Sequence, residues 1–358
     1  MTADGQMTNV IVTGGLGFIG SAVVRQLLAT GRHRVLNVDK VTYAATQGSV
    51  AGAADSELYS WVRADVADPD AMSALVGEFD PDIILHLAAE SHVDRSIDGP
   101  AAFIETNVVG TMSLLQAARH HWSSLDGERQ DRFRFVQVST DEVYGSLTPT
   151  DPRFTEDSPH RPRSPYSASK AAADHLASAW YHTYGMPVVI TNCSNNYGPF
   201  QFPEKLIPLM VLRSLDSQPL PVYGKGDNVR DWLFVEDHAR ALIMAAERGR
   251  PGETYVIGGD AERTNLEVVH AICAAIDERR PTGTPRSELI EFVTDRPGHD
   301  HRYAIDSAKI AAEFGWAPSV SFEDGIQATI DWYLENESWW RPIVDGTYQL
   351  ERIGQADG

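Results

Sequence analysis

Two acids, Asp141 and Glu142, stand side by side in the run STDEVYG (139–145), directly after the apolar stretch FRFVQV (133–138). Adjacent carboxylates where a buried strand ends are costly, because each disfavours ionisation of the other. The same repulsion separates their titrations, so that one can be a protonated acid while the other is an ionised base. Downstream, Tyr166 and Lys170 fall in YSASK. At i and i+4 on a helix they share a face, and an ammonium beside a phenol lowers the phenol's pKa, allowing a tyrosinate base near neutral pH. Alone, YxxxK is more often an ordinary surface pair, and Asp-Glu an ordinary helix cap. Together, behind a nucleotide-binding fingerprint, they read as chemistry.

That fingerprint is VTGGLGFIG (12–20), which sets Gly14, Gly17 and Gly20 after a strand and at the start of a helix. Glycines there let the backbone turn tightly and approach a pyrophosphate, which the helix N-terminus then favours. The spacing is G-x-x-G-x-x-G, and the triplet by itself also suits a structural turn. Its context of strand, glycines, helix and second strand is what gives it weight. Asp39 ends the second strand, where an acid accepts hydrogen bonds from adenosine ribose hydroxyls and repels a 2′-phosphate, favouring NAD over NADP. The neighbouring Lys40 works against that distinction. Asp65, in RADV (63–66), reads either as an adenine-side residue or as a simple loop acid.

These residues need a frame. Apolar runs at 9–14, 34–39, 82–88, 134–139 and 187–192 read as buried strands, with helical patterns near 20–30, 101–120 and 166–184 between them. Such alternation predicts a doubly wound α/β fold of Rossmann type, a parallel sheet covered on both faces. From about residue 195 the rhythm changes. NNYGPFQFPEKLIPLM fits no regular element at its start, then come a strand in TYVIGG (254–259) and helices from about 265 and about 322. A smaller mixed C-terminal lobe, interleaved with the sheet domain, is expected.

Composition narrows the partners. Acids outnumber bases 50 to 30, a formal charge of −20, which argues against nucleic acid and anionic membranes but allows a locally basic cleft. Two cysteines without a CxxC or a Cys/His cluster predict neither a disulfide scaffold nor a metal site. The N-terminus lacks the pattern of a signal peptide, and no window approaches 18 apolar residues, so a cytoplasmic protein is expected.

Several blocks then share one order: GGLGFIGS, DKVTYA, LAAESHVDRSI, STDEVYG, YSASK, NNYGPFQFPEKLIP, PLPVYGKGDNVRDWLFVEDH and DRPGHDHRYAID. Over roughly residues 8–335 the chain resembles the extended short-chain dehydrogenase/reductases acting on nucleotide sugars, and more narrowly the dTDP-glucose 4,6-dehydratases. One stretch departs, VTYAATQGSV (41–50), where the family reads closer to LTYAGN; it touches no catalytic position.

The resemblance implies bound NAD and a cycle in which Tyr166 takes the O4 proton as C4 is oxidised. Glu142 then removes the C5 proton, Asp141 protonates the departing C6 hydroxyl, and hydride returns to C6. Thr140 would hydrogen-bond the C4 oxygen, and Lys170 would support Tyr166. NAD would be lined by Gly14, Gly17, Phe18, Ile19, Gly20, Asp39, Lys40, Thr42, Asp65, Val66, Leu87, Ala88, Ala89, Ser91, Thr106, Ser139, Tyr166, Lys170 and Asn196. The nucleotide sugar would be held by Ser91, Thr140, Asn195, Lys205, Leu206, Pro221, Tyr223, Arg230, Asn265, Arg296 and His299, with Lys205, Arg230 and Arg296 giving the cleft positive charge for a diphosphate.

On this basis residues 1–194 form the NAD-binding domain. Residues 195–343 are mainly the nucleotide-sugar lobe, with a returning strand near 232–258, and 344–358 are a polar tail. A homodimer through the helices near 101–120 and 166–184 is implied by the resemblance. Three other readings stay open. A nucleotide-sugar 4-epimerase shares the oxidation but needs no elimination pair; a uronic-acid nucleotide decarboxylase expels carbon dioxide instead; an inactive NAD sensor needs neither Tyr166 nor Lys170. Uridine remains an alternative to thymidine.

Overall fold

The structure is a computed structural model describing residues 7–295 and 298–347 of the 358. Its strands run β1 (Thr8–Thr13), β2 (His33–Asp39), β3 (Tyr59–Arg63), β4 (Ile83–His86), β5 (Arg134–Thr140), β6 (Val188–Cys193), β7 (Asn195–Tyr197), β8 (Leu220–Tyr223), β9 (Val229–Phe234), β10 (Thr254–Ile257), β11 (Glu262–Thr264) and β12 (Ile290–Val293). Seven of them form one parallel sheet in the order β10-β6-β5-β4-β1-β2-β3. The chain reverses its direction of winding between β1 and β4, so their C-terminal ends open a crevice, the place where this architecture takes ligands. The expected doubly wound sheet with a smaller C-terminal region is what forms.

Each strand feeds two cores by its period of two. Val10 and Val12 face a cluster with Val23, Leu27, Leu242, Tyr255 and Trp316. Ile11 faces the opposite one with Ile84, Leu114, Phe135 and Met186. A third cluster, built around Tyr197, Met210, Trp232, Val268, Ile272, Ile330 and Tyr333, fills the lobe beside the sheet. There β11, β9 and β7 make one small sheet and β12 with β8 another. The helix Val235–Arg248 packs under the main sheet and β10 extends that sheet's edge, so residues after 229 thread between the two bodies.

Two local features position the site. The helix Pro165–Tyr184 starts at a capping box of Ser164 and Ser167, has Pro at its first turn and ends at Gly185 in the left-handed region. The segment read as one helix near 101–120 is instead split: Pro100–Phe103 and Gly110–Ser124 flank a wide turn, Ile104–Val109. Within it Asn107 turns inward to bond Glu90 N–H and O at 2.8 and 3.0 Å and Ser169 Oγ at 2.8 Å, demands that a regular helix face would leave unmet. No described helix is long and apolar enough to cross a membrane. Cys193 and Cys273 are buried free thiols.

Candidate active site

β5 ends at Thr140, and the chain turns at once into a short 3₁₀ turn, Asp141–Tyr144. Thr140 caps it: its Oγ1 accepts the Glu142 N–H at 3.3 Å. Gly145 leaves the turn at φ 88°, and a Cβ there would lie 2.5 Å from the Arg161 carbonyl oxygen, so glycine is required. On a regular strand Asp141 and Glu142 would point to opposite faces; the turn brings both into one cleft with Tyr166, Lys170 and Cys193. The Asp-Glu pair therefore does open a capped turn, but the cap is Thr140 and the acids face the cleft.

Asp141 is 1% exposed, and its Oδ2 takes no hydrogen bond from any described residue. Burial, then the charges of Glu142 and Asp231, hold its carboxyl well above the usual carboxylate range, with Arg230 opposing. Both influences favour its protonated form, and Oδ2 is the oxygen left open. Glu142 is only half-buried. Burial thus adds to repulsion in favouring a protonated Asp141.

Tyr166 and Lys170 do lie on one helix face, both buried. The expected electrostatics differ, however. Burial, then the Glu142 charge, raises the Tyr166 phenol well above its ordinary value, while the Thr140 hydroxyl works the other way. Lys170 Nζ donates to the Val138 carbonyl at 2.7 Å, and burial lowers its pKa. Burial and a nearby carboxylate are thus the largest influences on the phenol, and Lys170 Nζ is turned to the Val138 carbonyl.

At the dinucleotide end, Gly14 adopts φ 73° against the Ala88 backbone, and a Cβ on Gly20 would sit 2.1 Å from the Gly14 carbonyl oxygen. The helix Phe18–Ala29 that follows has no side-chain cap, which leaves its first-turn N–H groups for an anion. Asp39 holds this loop: its Oδ2 accepts Leu16 N–H at 3.0 Å and its Oδ1 accepts Val41 N–H at 2.8 Å. Each oxygen keeps a second lone pair for a ribose hydroxyl. Lys40 donates to Thr106 Oγ1 at 2.7 Å and pairs with Glu90 at 3.4 Å, so it is turned to structure. Phe18, Ile19, Thr42, Val66, Leu87, Ala88, Ala89, Ser139 and Asn196 also line the cleft. Asp65 does not; it is exposed between the lining residues Ala64 and Val66 and accepts the Ala67 N–H at 3.0 Å.

At the lobe end, Ser91, Asn195, Lys205, Leu206, Pro221, Tyr223, Arg230, Asn265 and His299 line the same cleft. Lys205 Nζ reaches across to the Ser91 carbonyl at 2.9 Å. Arg230 stacks over Tyr303 at 4.3 Å and donates to the Asp300 carbonyl at 2.9 Å, which fixes its guanidinium. Asn195 Oδ1 is buried and takes no hydrogen bond from a described residue. Arg296 lies outside the described residues.

Other cleft residues were not singled out from sequence. Glu204 is buried and accepts from Tyr43 Oη at 3.0 Å and Arg95 Nε at 3.3 Å, while Arg95 stacks over Tyr43 at 3.9 Å. This bracket ties the dinucleotide side to the 198–205 loop. Tyr43, Arg95 and Glu204 lie in the blocks DKVTYA, LAAESHVDRSI and NNYGPFQFPEKLIP, yet no spacing among them signals a contact.

The chain matches a family model described as GDP-mannose 4,6 dehydratase over residues 11–329. It is 54% identical over 352 residues to a dTDP-glucose 4,6-dehydratase of Neisseria meningitidis serogroup B, covering 97% of this chain and 99% of that one. Among solved structures it resembles DesIV, a dTDP-glucose 4,6-dehydratase from Streptomyces venezuelae with NAD and TYD bound: 44% identity, TM-score 0.86, covering 94% of this chain and 99% of that one. The dTDP-glucose 4,6-dehydratase of Bacillus anthracis str. Ames in complex with NAD gives 44% identity and a TM-score of 0.83 over the same shares. With its glycine turn, acid pair and Tyr-Lys helix in one cleft, the chain belongs to this family and, within it, to the dTDP-glucose 4,6-dehydratases.

Proposed function

We propose that the protein converts dTDP-glucose to dTDP-4-keto-6-deoxyglucose with NAD bound throughout. The observation that carries this reading is the buried Asp141, its Oδ2 without a hydrogen-bond partner among the described residues, beside Glu142 and Tyr166 at the end of β5, in a chain so similar to dTDP-glucose 4,6-dehydratases. The glycine turn, the uncapped helix and Asp39 fit a dinucleotide; Gly14, Gly17, Gly20 and Asp39 would hold its diphosphate and adenosine ribose. NAD supplies, when bound, the acceptance of a hydride from sugar C4 and its return to C6. As its phenolate, Tyr166 takes the O4 proton, Lys170 provides on the same helix face the positive charge that favours that ionised form, and Thr140 orients the C4 oxygen. Glu142 removes the C5 proton, whose electrons form the C5–C6 double bond as the C6–O bond breaks. Asp141 gives its proton to that departing hydroxyl, which leaves as water, and protonated Glu142 restores the proton to C5.

Lys205, Arg230 and Arg296, with Tyr223, Asn265 and His299, bind the nucleotide sugar, which places local positive charge in a protein of net charge −20. Residues 1–194 serve mainly the cofactor and 195–343 mainly the sugar nucleotide. The enzyme works in the cytoplasm as a homodimer; the exposed apolar Ile104, Met112 and Tyr184 support contact through the helices near 101–120 and 166–184. An epimerase has no use for an acid such as Asp141, which favours dehydration.

The test is incubation with dTDP-glucose and UDP-glucose separately. The expected product from dTDP-glucose is lighter by one water, shows 4-keto absorbance, and forms without stoichiometric NADH. Epimerised product of unchanged mass would overturn the reading, and equal turnover of UDP-glucose would overturn the nucleotide preference.

A further inference from the structure

Tyr166, Lys170 and Asp174 are spaced by four on the helix Pro165–Tyr184, so a third ionisable group continues the face that carries the first two. All three are buried: Asp174 is 2% exposed and Lys170 4%. Asp174 is absent from the cleft lining, and the proposed reaction gives it no role. A buried acid at that spacing, behind a buried ammonium, calls for a physical reason.

Its surroundings supply one. Asp174 Oδ2 accepts from Ser139 Oγ at 2.7 Å and from Asn192 Nδ2 at 3.1 Å, donors that favour the ionised carboxylate. Oδ1 is buried and accepts no hydrogen bond from a described residue. The same Asn192 amide donates to the Thr140 carbonyl at 3.2 Å, and its Oδ1 accepts from Tyr144 Oη at 3.2 Å. The carboxylate is thus tied to the end of β5 from which Thr140, Asp141 and Glu142 project. It makes no ion pair within 4.0 Å with Lys170, whose ammonium gives one of its three donors to the Val138 carbonyl. Any influence on Lys170 passes through a low-dielectric interior, where a charge one helical turn away still counts.

We propose that Asp174 is a positioning residue for the oxidation step: its buried carboxylate is the counter-charge that keeps Lys170 protonated out of reach of water. The other titratable groups facing Lys170 do not serve. Burial raises the Cys193 thiol on β6 far above neutrality, and its influence on Lys170 comes after that of Asp174; burial lowers His86 on β4 to about 3. Burial likewise raises the Tyr166 and Tyr144 phenols. Burial raises Asp141 as well, and Glu142 acts on Tyr166 and Asp141. Burial raises Asp174 to about 6 while Lys170 pulls it down, and Asp174 is in turn the first of the influences that raise Lys170. This role rests on the dehydratase reading for its catalytic consequence, but not for the charge coupling itself.

The test uses the full-length chain with its bound NAD, as the parent, Asp174→Asn, Lys170→Met and the double variant. Unfolding midpoints without sugar and initial rates with dTDP-glucose are followed from about pH 6 to about pH 9. Asparagine keeps the shape and removes the charge. In Asp174→Asn the alkaline limb of the rate should move down by about one pH unit, since Lys170 loses its proton sooner. Its midpoint deficit against the parent should shrink as pH rises, because deprotonation relieves an unpaired buried ammonium. In the Lys170→Met background the same substitution should cost far less, and it should restore folding if Asp174→Asn alone yields none. An unmoved alkaline limb, or a deficit that is flat in pH and undiminished by Lys170→Met, overturns the proposal and leaves Asp174 a packing residue. A parent that makes no 4-keto product overturns the dehydratase reading instead, and the midpoint cycle still decides the coupling.

Discussion

Asp141 and Glu142 differ by one position in the chain and by their access to water, and that difference assigns their roles. Glu142→Gln should leave C4 oxidation intact, because Tyr166 does not need the carboxylate for it. Elimination should then stall, bound NADH absorbance should build up in a single turnover with dTDP-glucose, and solvent deuterium should fail to enter C5. Asp141→Asn should keep C5 exchange while losing the C6 hydroxyl slowly, by ~10²-fold or more for a missing acid. The amides retain shape, so a folding defect is a poor imitation of either result. Product release near the parent rate in both variants would remove the pair from the elimination. At this scale the sequence was most legible where neighbours in the chain are neighbours in space: DE, YxxxK and the glycine turn. Asp174 and Glu204 were not legible, because their partners Ser139, Asn192, Tyr43 and Arg95 are brought to them only by the fold.

The elements show how a backbone can be as selective as a side chain. Gly20→Ala would drive a Cβ to within 2.1 Å of the Gly14 carbonyl, which is backbone and cannot step aside. The variant should purify with NAD largely lost and unfold at a lower temperature. Gly77→Ala is the control: it is exposed in the helix Pro69–Phe79 with nothing within 4 Å of its added Cβ. It should raise stability by roughly 0.5–1 kcal/mol, the helical difference between the two residues, and leave NAD content unchanged. Full NAD occupancy in Gly20→Ala would show that the turn tolerates a wider path. Six strands of the large sheet stood out in sequence as continuous apolar runs. β3, YSWVR, did not, because it is the sheet's edge and its side chains are exposed or half-buried. The wide turn Ile104–Val109 was invisible for a different reason: its cause is Asn107 reaching Glu90 and Ser169, and apolar period carries no trace of that.

Over the whole molecule, the excess of acids has two opposite effects on stability. Exposed or half-exposed carboxylates in ion pairs, such as Asp331 with Arg279 and Glu253 with Lys309, are held below their ordinary values, so their contribution is present above the unfolded pKa and lost as pH falls. The acids buried around the cleft behave in reverse. Asp174 and Asp231 are raised by burial from an ordinary 3.8 to about 6, and Asp141 is raised well above its ordinary value. A raised folded pKa means that the group's contribution is fully present below about pH 4 and is lost as pH rises through about 6, an effect of order 3 kcal/mol per group. Asp231 isolates this term. Its oxygens accept Ala261 N–H at 2.8 Å and Gly259 N–H at 3.1 Å, and its charge is one of those that hold Asp141 protonated. Asp231→Asn loses one of these hydrogen bonds at every pH, a constant offset. It also removes one buried carboxylate and lets Asp141 ionise more easily, and both changes act in the same direction. The unfolding midpoint of the variant, followed against the parent from about pH 4 to about pH 7, should therefore rise relative to the parent as pH increases. A difference that stays flat across that window, or that falls, would show that Asp231 is ionised in the folded protein without cost and is no part of what keeps Asp141 an acid.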